Sequence, residues 1–204
     1  LRLHPKSIDL SLHRIQRLLK SLNNPEKKLQ NCIQVVGTNG KFSICSTLRE
    51  IYETAGYKVN MYISPSVRKF NERYYFSGKQ INDEKLYELL SEVEKVNKGQ
   101  SITFHEIVTA AFFLEASRTK AHINILEAGL FFRLDASNVL DKNIASIISP
   151  IGIDHKDFLK EGTIDEIIFE KCSKLLDGSK IIVSEQTSLK ILNKINKTIR
   201  SNTS

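Results

Sequence analysis

Val35-Val36-Gly37-Thr38-Asn39-Gly40-Lys41-Phe42-Ser43 joins an apolar strand to a helix through a loop bracketed by two glycines. Glycines let backbone N–H groups turn inward around an anion, Lys41 adds a point charge, and the helix that follows presents its positive end. The segment therefore reads as a phosphate cradle, with Gly37, Thr38, Asn39, Gly40, Lys41 and Ser43 as nucleoside triphosphate contacts. Its spacing departs from G-x-x-x-x-G-K-[ST]: the two glycines stand closer together, and Phe42 moves the hydroxyl one place along. A plain strand-to-helix turn with a fortuitous lysine is the competing reading.

The flanking segments alternate in period. Upstream, Leu12, Ile15, Leu18, Leu19 and Leu22 recur at helical spacing with Arg14, Arg17 and Lys20 between them, and Asn23-Asn24-Pro25 closes that helix. Cys32 to Val36 is a buried strand. Ile44, Leu48, Ile51, Tyr52 and Ala55 line one helix face that stops at Gly56, and Lys58 to Ile63 is the next strand. Ser64 to Ile81 reads as a long loop rich in charge and aromatics, of a length that is often functional. Leu86, Leu89, Leu90, Val93 and Val96 then give a helix. Thr103 with Glu106 forms a capping box ahead of Ile107, Ala110, Ala111 and Leu114.

Ile123 to Leu126 and Ile144 to Ser149 are further apolar strands, ending at Glu127 and before Asp154-His155. Thr163 and Glu166 form a second capping box, and Lys180 to Val183 returns as a strand. The alternation predicts an α/β fold: a mostly parallel sheet with helices on both faces. In such sheets ligands bind beyond the carboxyl ends of the strands. Gly37 to Lys41, Ser64, Glu127 and Asp154-His155 are therefore expected to converge.

With 204 residues, 41% hydrophobic and 26% charged, the chain can bury a real core in one domain. A formal charge of +7 favours anionic partners, yet acidic residues are interspersed with the basic ones. Lys190, Lys194, Lys197 and Arg200 form a basic helical stripe. Opposite it Leu192, Ile195 and Ile199 look like an ordinary core face, so a solvated helix is preferred to a nucleic-acid site. Cys32, Cys45 and Cys172 are too far apart and too few for a disulfide framework or a zinc site, which suits a reducing cytosol. No apolar run approaches a membrane span, so the expectation is a cytoplasmic protein without membrane or nucleic-acid partners.

The order of segments resembles the folylpolyglutamate synthase and dihydrofolate synthase family of the wider Mur ligase group. The resemblance rests on Leu3 to Leu12, Gly37-Thr38-Asn39-Gly40-Lys41, Ala55-Gly56-Tyr57, Ser64-Pro65, Phe70-Asn71-Glu72-Arg73, Thr103-Phe104-His105-Glu106, Glu127-Ala128-Gly129-Leu130, Arg133 to Asn138, Gly152-Ile153-Asp154-His155 and Phe169-Glu170-Lys171. It implies a P-loop-type ATP-binding domain over residues 1–204, to which an amphipathic segment of residues 1–30 belongs. It also implies that this domain is incomplete at its C-terminus, with the glutamate-binding C-terminal domain absent. The implied chemistry is an ATP-dependent amide bond between glutamate and a dihydropteroate or folate carboxylate, by way of an acyl phosphate. A monomer is the family's default.

By the same resemblance Lys41 holds the phosphates, and Ser64, Glu127 and His155 hold magnesium. On chemistry alone the histidine suits manganese or zinc better. Lys171 matches a lysine that carbon dioxide carbamylates, giving a carboxylate for a second magnesium; the other reading is a solvated helix lysine. Lys41, His155 and Lys171 form the implied catalytic set. Pterin contacts map to Asp9, Leu10 and Ser11, to Thr103, Phe104, His105 and Glu106, and to Leu134, Asp135 and Ala136. Thr103 and Glu106 also serve as a cap, and His105 equally suits a surface position. Asp135 is the strongest of these, since a carboxylate accepts paired hydrogen bonds from a pterin.

Phe42 stands where the family has glycine, and Phe131-Phe132 replaces a Gly-Gly pair. These departures admit two accounts: a variant whose rings pack beside the pterin or adenine, or a non-catalytic nucleotide-binding remnant. A peptidoglycan Mur ligase is the other enzyme that this chemistry admits.

Overall fold

A computed structural model describes residues 10–201. Asp9 lies outside them. Seven strands form one sheet: β1 Cys32–Val36, β2 Val59–Tyr62, β3 Tyr74–Phe76, β4 Lys79–Gln80, β5 Ile123–Glu127, β6 Ala145–Ile148 and β7 Lys180–Val183. Their spatial order is β4-β3-β2-β5-β1-β6-β7. Every pair among β2, β5, β1, β6 and β7 is parallel, with Val35 opposite both Glu127 and Ile147. This register brings the carboxyl ends of β1, β5 and β6 level, and so places the loops beyond them side by side.

The helices are α1 His13–Ser21, α2 Lys41–Thr54, α3 Asp83–Asn97, α4 Phe104–Arg118, α5 Ile164–Cys172 and α6 Leu189–Arg200. α1, α3 and α4 share a core with Cys32, Tyr62 and Leu126. α5 and α6 pack on Val36 and Ile148, while α2 covers Ile33, Val35 and Ile125 on the opposite face. The expected architecture is present.

Several local readings need correction. The segment expected to be loop, Ser64 to Ile81, holds a 3₁₀ turn at Phe70–Arg73 and the antiparallel hairpin of β3 and β4, which extends the sheet from Tyr62 opposite Tyr74. Three-residue and two-residue strands carry no readable alternation. The turn itself, Ser77-Gly78 with φ of 48° and 91°, is a recognisable hairpin signal. On α2, Ile51 is 58% exposed and Cys45 is the buried residue, with Ile44, Leu48 and Tyr52 half-buried beside it. The buried stripe centres near Cys45, about 120° around the helix from Ile51 at 100° per residue.

Arg14, expected among the solvated charges of α1, is buried and chelated by Glu106 at 3.0 and 3.1 Å. At α5, Thr163 caps the Glu166 N–H, but the Glu166 carboxylate accepts from Lys160, Glu161 and Gly162 instead of closing the box. The α4 box is complete: Thr103 Oγ1 accepts from Glu106 N at 3.2 Å and Glu106 Oε2 from Thr103 N at 2.7 Å. On α6, Ile195 is buried and Ile199 packs beside it, as the core-face reading expects, and Lys194 pairs with Asp165.

Candidate functional site

Gly37 adopts φ +144°, and a Cβ there would stand 2.0 Å from Ser149 Oγ, so only glycine lets β1 pass this close to the end of β6. Beyond it, Thr38 N and Asn39 N both donate to Pro150 O at 3.1 Å, and Thr38 Oγ1 bonds Gly152. These two N–H groups fasten the loop to the segment after β6 rather than pointing at an anion. The donors left for a phosphate are those of the first turn of α2, which begins at Gly40 without a side-chain cap. Lys41 Nζ folds back onto the carbonyls of Gly37 and Thr38, at 3.2 and 3.4 Å. Phe42 and Ser43 on this turn are exposed.

The strand ends converge as the topology requires. Ser64, after β2, donates its N–H to Glu127 Oε2 at 3.0 Å. Burial pushes the Glu127 carboxyl up, against the Ser64 bond and the nearby charge of Lys41. His155 Nε2 lies 3.2 Å from Asp154 Oδ2. Burial keeps the imidazole below its usual value, the attraction of Asp154 being opposed by Lys171 and Lys41. It is therefore neutral near pH 7 and has a lone pair to offer.

Between these strand ends and the start of α4 lies a cavity of about 610 Å³. Leu10, Ser11, Lys41, Ser64, Thr103, Phe104, His105, Glu106, Leu134, Asp135, Ala136 and His155 all line it, so the implied pterin residues share one space with Lys41, whereas Gly37, Thr38, Asn39, Gly40 and Ser43 do not line it. Glu127 stands just behind Ser64. Asp154 lines the cavity, as its place after a strand end leads one to expect, and Arg14, Arg73 and Gly129 line it without having been singled out as site residues in the sequence. Arg73 had a usable signal, a cation inside the aromatic Phe70-Asn71-Glu72-Arg73 segment.

Asp135 anchors the far end. Its Oδ1 accepts from Ser137 N and Oγ at 2.9 and 2.6 Å, and its Oδ2 meets Gly129 N at 3.1 Å and His105 Nε2 at 3.2 Å. Although burial works to raise it, His105 and Ser137 together hold the carboxyl below the usual carboxylate range. Burial likewise opposes charge on His105, and Asp135 overcomes it, so the imidazole sits above its ordinary value. A Cβ on Gly129 would lie 2.9 Å from both Asp135 Oδ2 and His105 Nε2, so glycine is what admits the pair. The Asp135 oxygens are occupied within the protein, and the side of the pair open to the cavity is His105.

Lys171 is 1% exposed, which removes the solvated-helix reading. Its Nζ donates to Gly37 O at 3.0 Å and Leu130 O at 2.9 Å, with the Phe131 ring 5.3 Å away. Burial, then Lys41, brings its pKa down to about 8. Phe131 meets His155 edge-on at 6.2 Å, and Phe132 is fully buried among Val36, Ile148, Ile151 and Ile167. Neither ring lines the cavity, so they do not pack beside a ligand there.

A mostly parallel sheet with a glycine-bracketed lysine loop after β1, opening on a cavity at the strand ends that sets charged side chains in a largely apolar lining, defines a mononucleotide-binding α/β domain. No family model matches the chain. It is 34% identical over 182 residues to the dihydrofolate synthase/folylpolyglutamate synthase of Haemophilus influenzae, across 89% of this chain and 41% of that protein. The structure of Escherichia coli FolC in complex with DHPP and ADP superposes with a TM-score of 0.89 at 30% identity, covering 100% of this chain and 48% of that one. The Yersinia pestis bifunctional folylpolyglutamate synthase/dihydrofolate synthase with AMPPNP and Mn ion gives 0.87 at 28% identity, covering 100% and 48%.

Over the part that it spans, the chain belongs to the dihydrofolate synthase/folylpolyglutamate synthase family, whose fold is of the Mur ligase type. It spans less than half the length of the curated relatives it matches.

Proposed function

We propose that the chain carries the nucleotide and acid-binding part of an ATP-dependent ligase that joins glutamate to a dihydropteroate or folate carboxylate. The observation that carries this is the shared cavity, with Lys41 at one end and Thr103 to Glu106 and Leu134 to Ala136 at the other. A carboxylate is a poor electrophile, so one of its oxygens attacks the γ-phosphorus of ATP, ADP leaves, and an acyl phosphate forms. The glutamate amine then attacks the acyl carbon, an amide bond forms, and phosphate departs with the electron pair.

Lys41 neutralises charge on the transferring group after exchanging the Gly37 and Thr38 carbonyls for phosphate oxygens, while the first turn of α2 supplies N–H donors. Ser64, Glu127 and His155 would hold a divalent cation. A hydroxyl and a carboxylate whose raised pKa a cation would reverse suit magnesium or manganese, and the neutral imidazole favours manganese of the two. That ion would supply further charge neutralisation. Leu10, Ser11 and the His105–Asp135 pair orient the acid, and Glu106 fixes Arg14 beside them.

A carbamate on Lys171 would start from the neutral amine that a pKa of about 8 makes accessible, but it would keep a single N–H, so one of the two carbonyl bonds would be lost and the new carboxylate would face the freed oxygen. We read Lys171 as a pin that ties the phosphate loop to Leu130. Phe131, wedged between this amine and His155, favours a second reading, a nucleotide-binding module without turnover. Calorimetric ADP binding combined with an assay of glutamate-dependent ADP release separates the two. Release that requires both dihydropteroate and glutamate, and is lost in Lys41→Ala, supports the ligase; ADP binding with no release supports the module.

A further inference from the structure

Most charged groups around the cavity are matched. His105 rests on Asp135 and Arg14 on Glu106, while Lys41 has its own loop carbonyls. Arg73 differs. Its Nε is buried without a hydrogen-bond partner, and among the described residues no carboxylate pairs with it. The Tyr62 hydroxyl is beside it, and its charge is felt at both Glu127 and His105, so it lies near the strand-end groups as well as the far pair.

The guanidinium lies 5.2 Å from the Phe70 ring centre and 5.8 Å from that of Phe104, whose half-exposed face lines the cavity. The turn that carries it is held in place. Asn71 donates to Ile81 O and Asp83 Oδ1, and Glu72 accepts from Val67 N and Arg68 N. A buried donor left without a partner is costly, and a planar fork of N–H groups matches a carboxylate in shape and charge. The lining thus places an aromatic surface, an unmatched cation and a phosphate loop along one space.

Building on the ligase reading, we propose that Arg73 is the substrate-binding residue for the carboxylate that becomes activated, while the exposed face of Phe104 takes the arene that bears it. The ligand class is an aryl carboxylic acid. One carboxylate oxygen rests on the Arg73 fork and the other is turned toward the phosphate loop. The fork selects acids over neutral analogues, because an amide cannot supply the negative charge.

The test is equilibrium binding of pteroate and of its neutral carboxamide to the protein, with ADP binding measured alongside to report the folded loop. Wild type is expected to prefer the acid by about tenfold or more, the worth of one charge-assisted pair. Arg73→Met should abolish that preference with ADP binding intact, and Arg73→Lys should restore part of it. If acid and amide bind wild type equally, or Arg73→Met keeps the preference, the Arg73 assignment falls and the folate reading stands. If ADP binds but neither pteroyl compound does, both fall.

Discussion

Two adjacent phenylalanines, Phe131 and Phe132, have different work in the structure. Phe132 is fully buried in the core beneath α5, so Phe132→Ala should destabilise the fold by about 3–5 kcal/mol in urea unfolding. Phe42→Gly, at a half-exposed position, should cost no more than about 1 kcal/mol, through helix propensity alone. Lys171 makes a pH prediction. Its folded pKa of about 8 lies below the 10.5 of an ordinary lysine, so between these values the unfolded chain holds a proton that the folded one has released. Stability from this group therefore rises with pH across that window and is flat below it. Urea midpoints at pH 7 and 9.5 should show wild type gaining on Lys171→Met. The same lysine should give no carbamate carbon signal in ¹³C-bicarbonate NMR.

α4 shows why part of the site could be read in the sequence and part could not. Its capping box was legible because Thr103 and Glu106 obey a local spacing rule. That Glu106 also grips Arg14, 92 residues away in sequence, lies beyond any local pattern. Glu106→Gln should thus cost about 3–5 kcal/mol, well above the roughly 1 kcal/mol of Thr103→Ala, because it weakens the hold on a buried guanidinium. Adding Arg14→Met to Glu106→Gln should recover part of the loss, and a double-mutant cycle measures that coupling. β1, β5 and β6 were legible from apolar-rich runs, interrupted only by Gln34, by Asn124 and by Ser146 before their ends, whereas β3 and β4 are too short to display a period. Arg73 sits in a segment that read as a functional loop, but nothing local says which of its cations, Arg68, Lys69 or Arg73, turns toward the cavity.

Across the whole molecule, seven separate segments, around residues 10–14, 41, 64–65, 73, 103–106, 129–136 and 154–155, meet at one cavity, so ligand binding should stabilise the entire sheet. ADP at 100 times its dissociation constant should add about 2.7 kcal/mol, seen as a rise of several degrees in Tm, and Lys41→Ala should remove most of it. The Gly37 carbonyl has a role in that exchange. Two lysines reach it, Lys41 at 3.2 Å and Lys171 at 3.0 Å. On the proposed reading, in which Lys41 leaves for a phosphate, Lys171 remains and the oxygen keeps a donor. The loop can thus hand over a cation without rearranging its own backbone. It behaves as a relay with a standing reserve, and hydrogen exchange at residues 37–40 should slow only where phosphate covers an N–H, with no wider tightening of the loop.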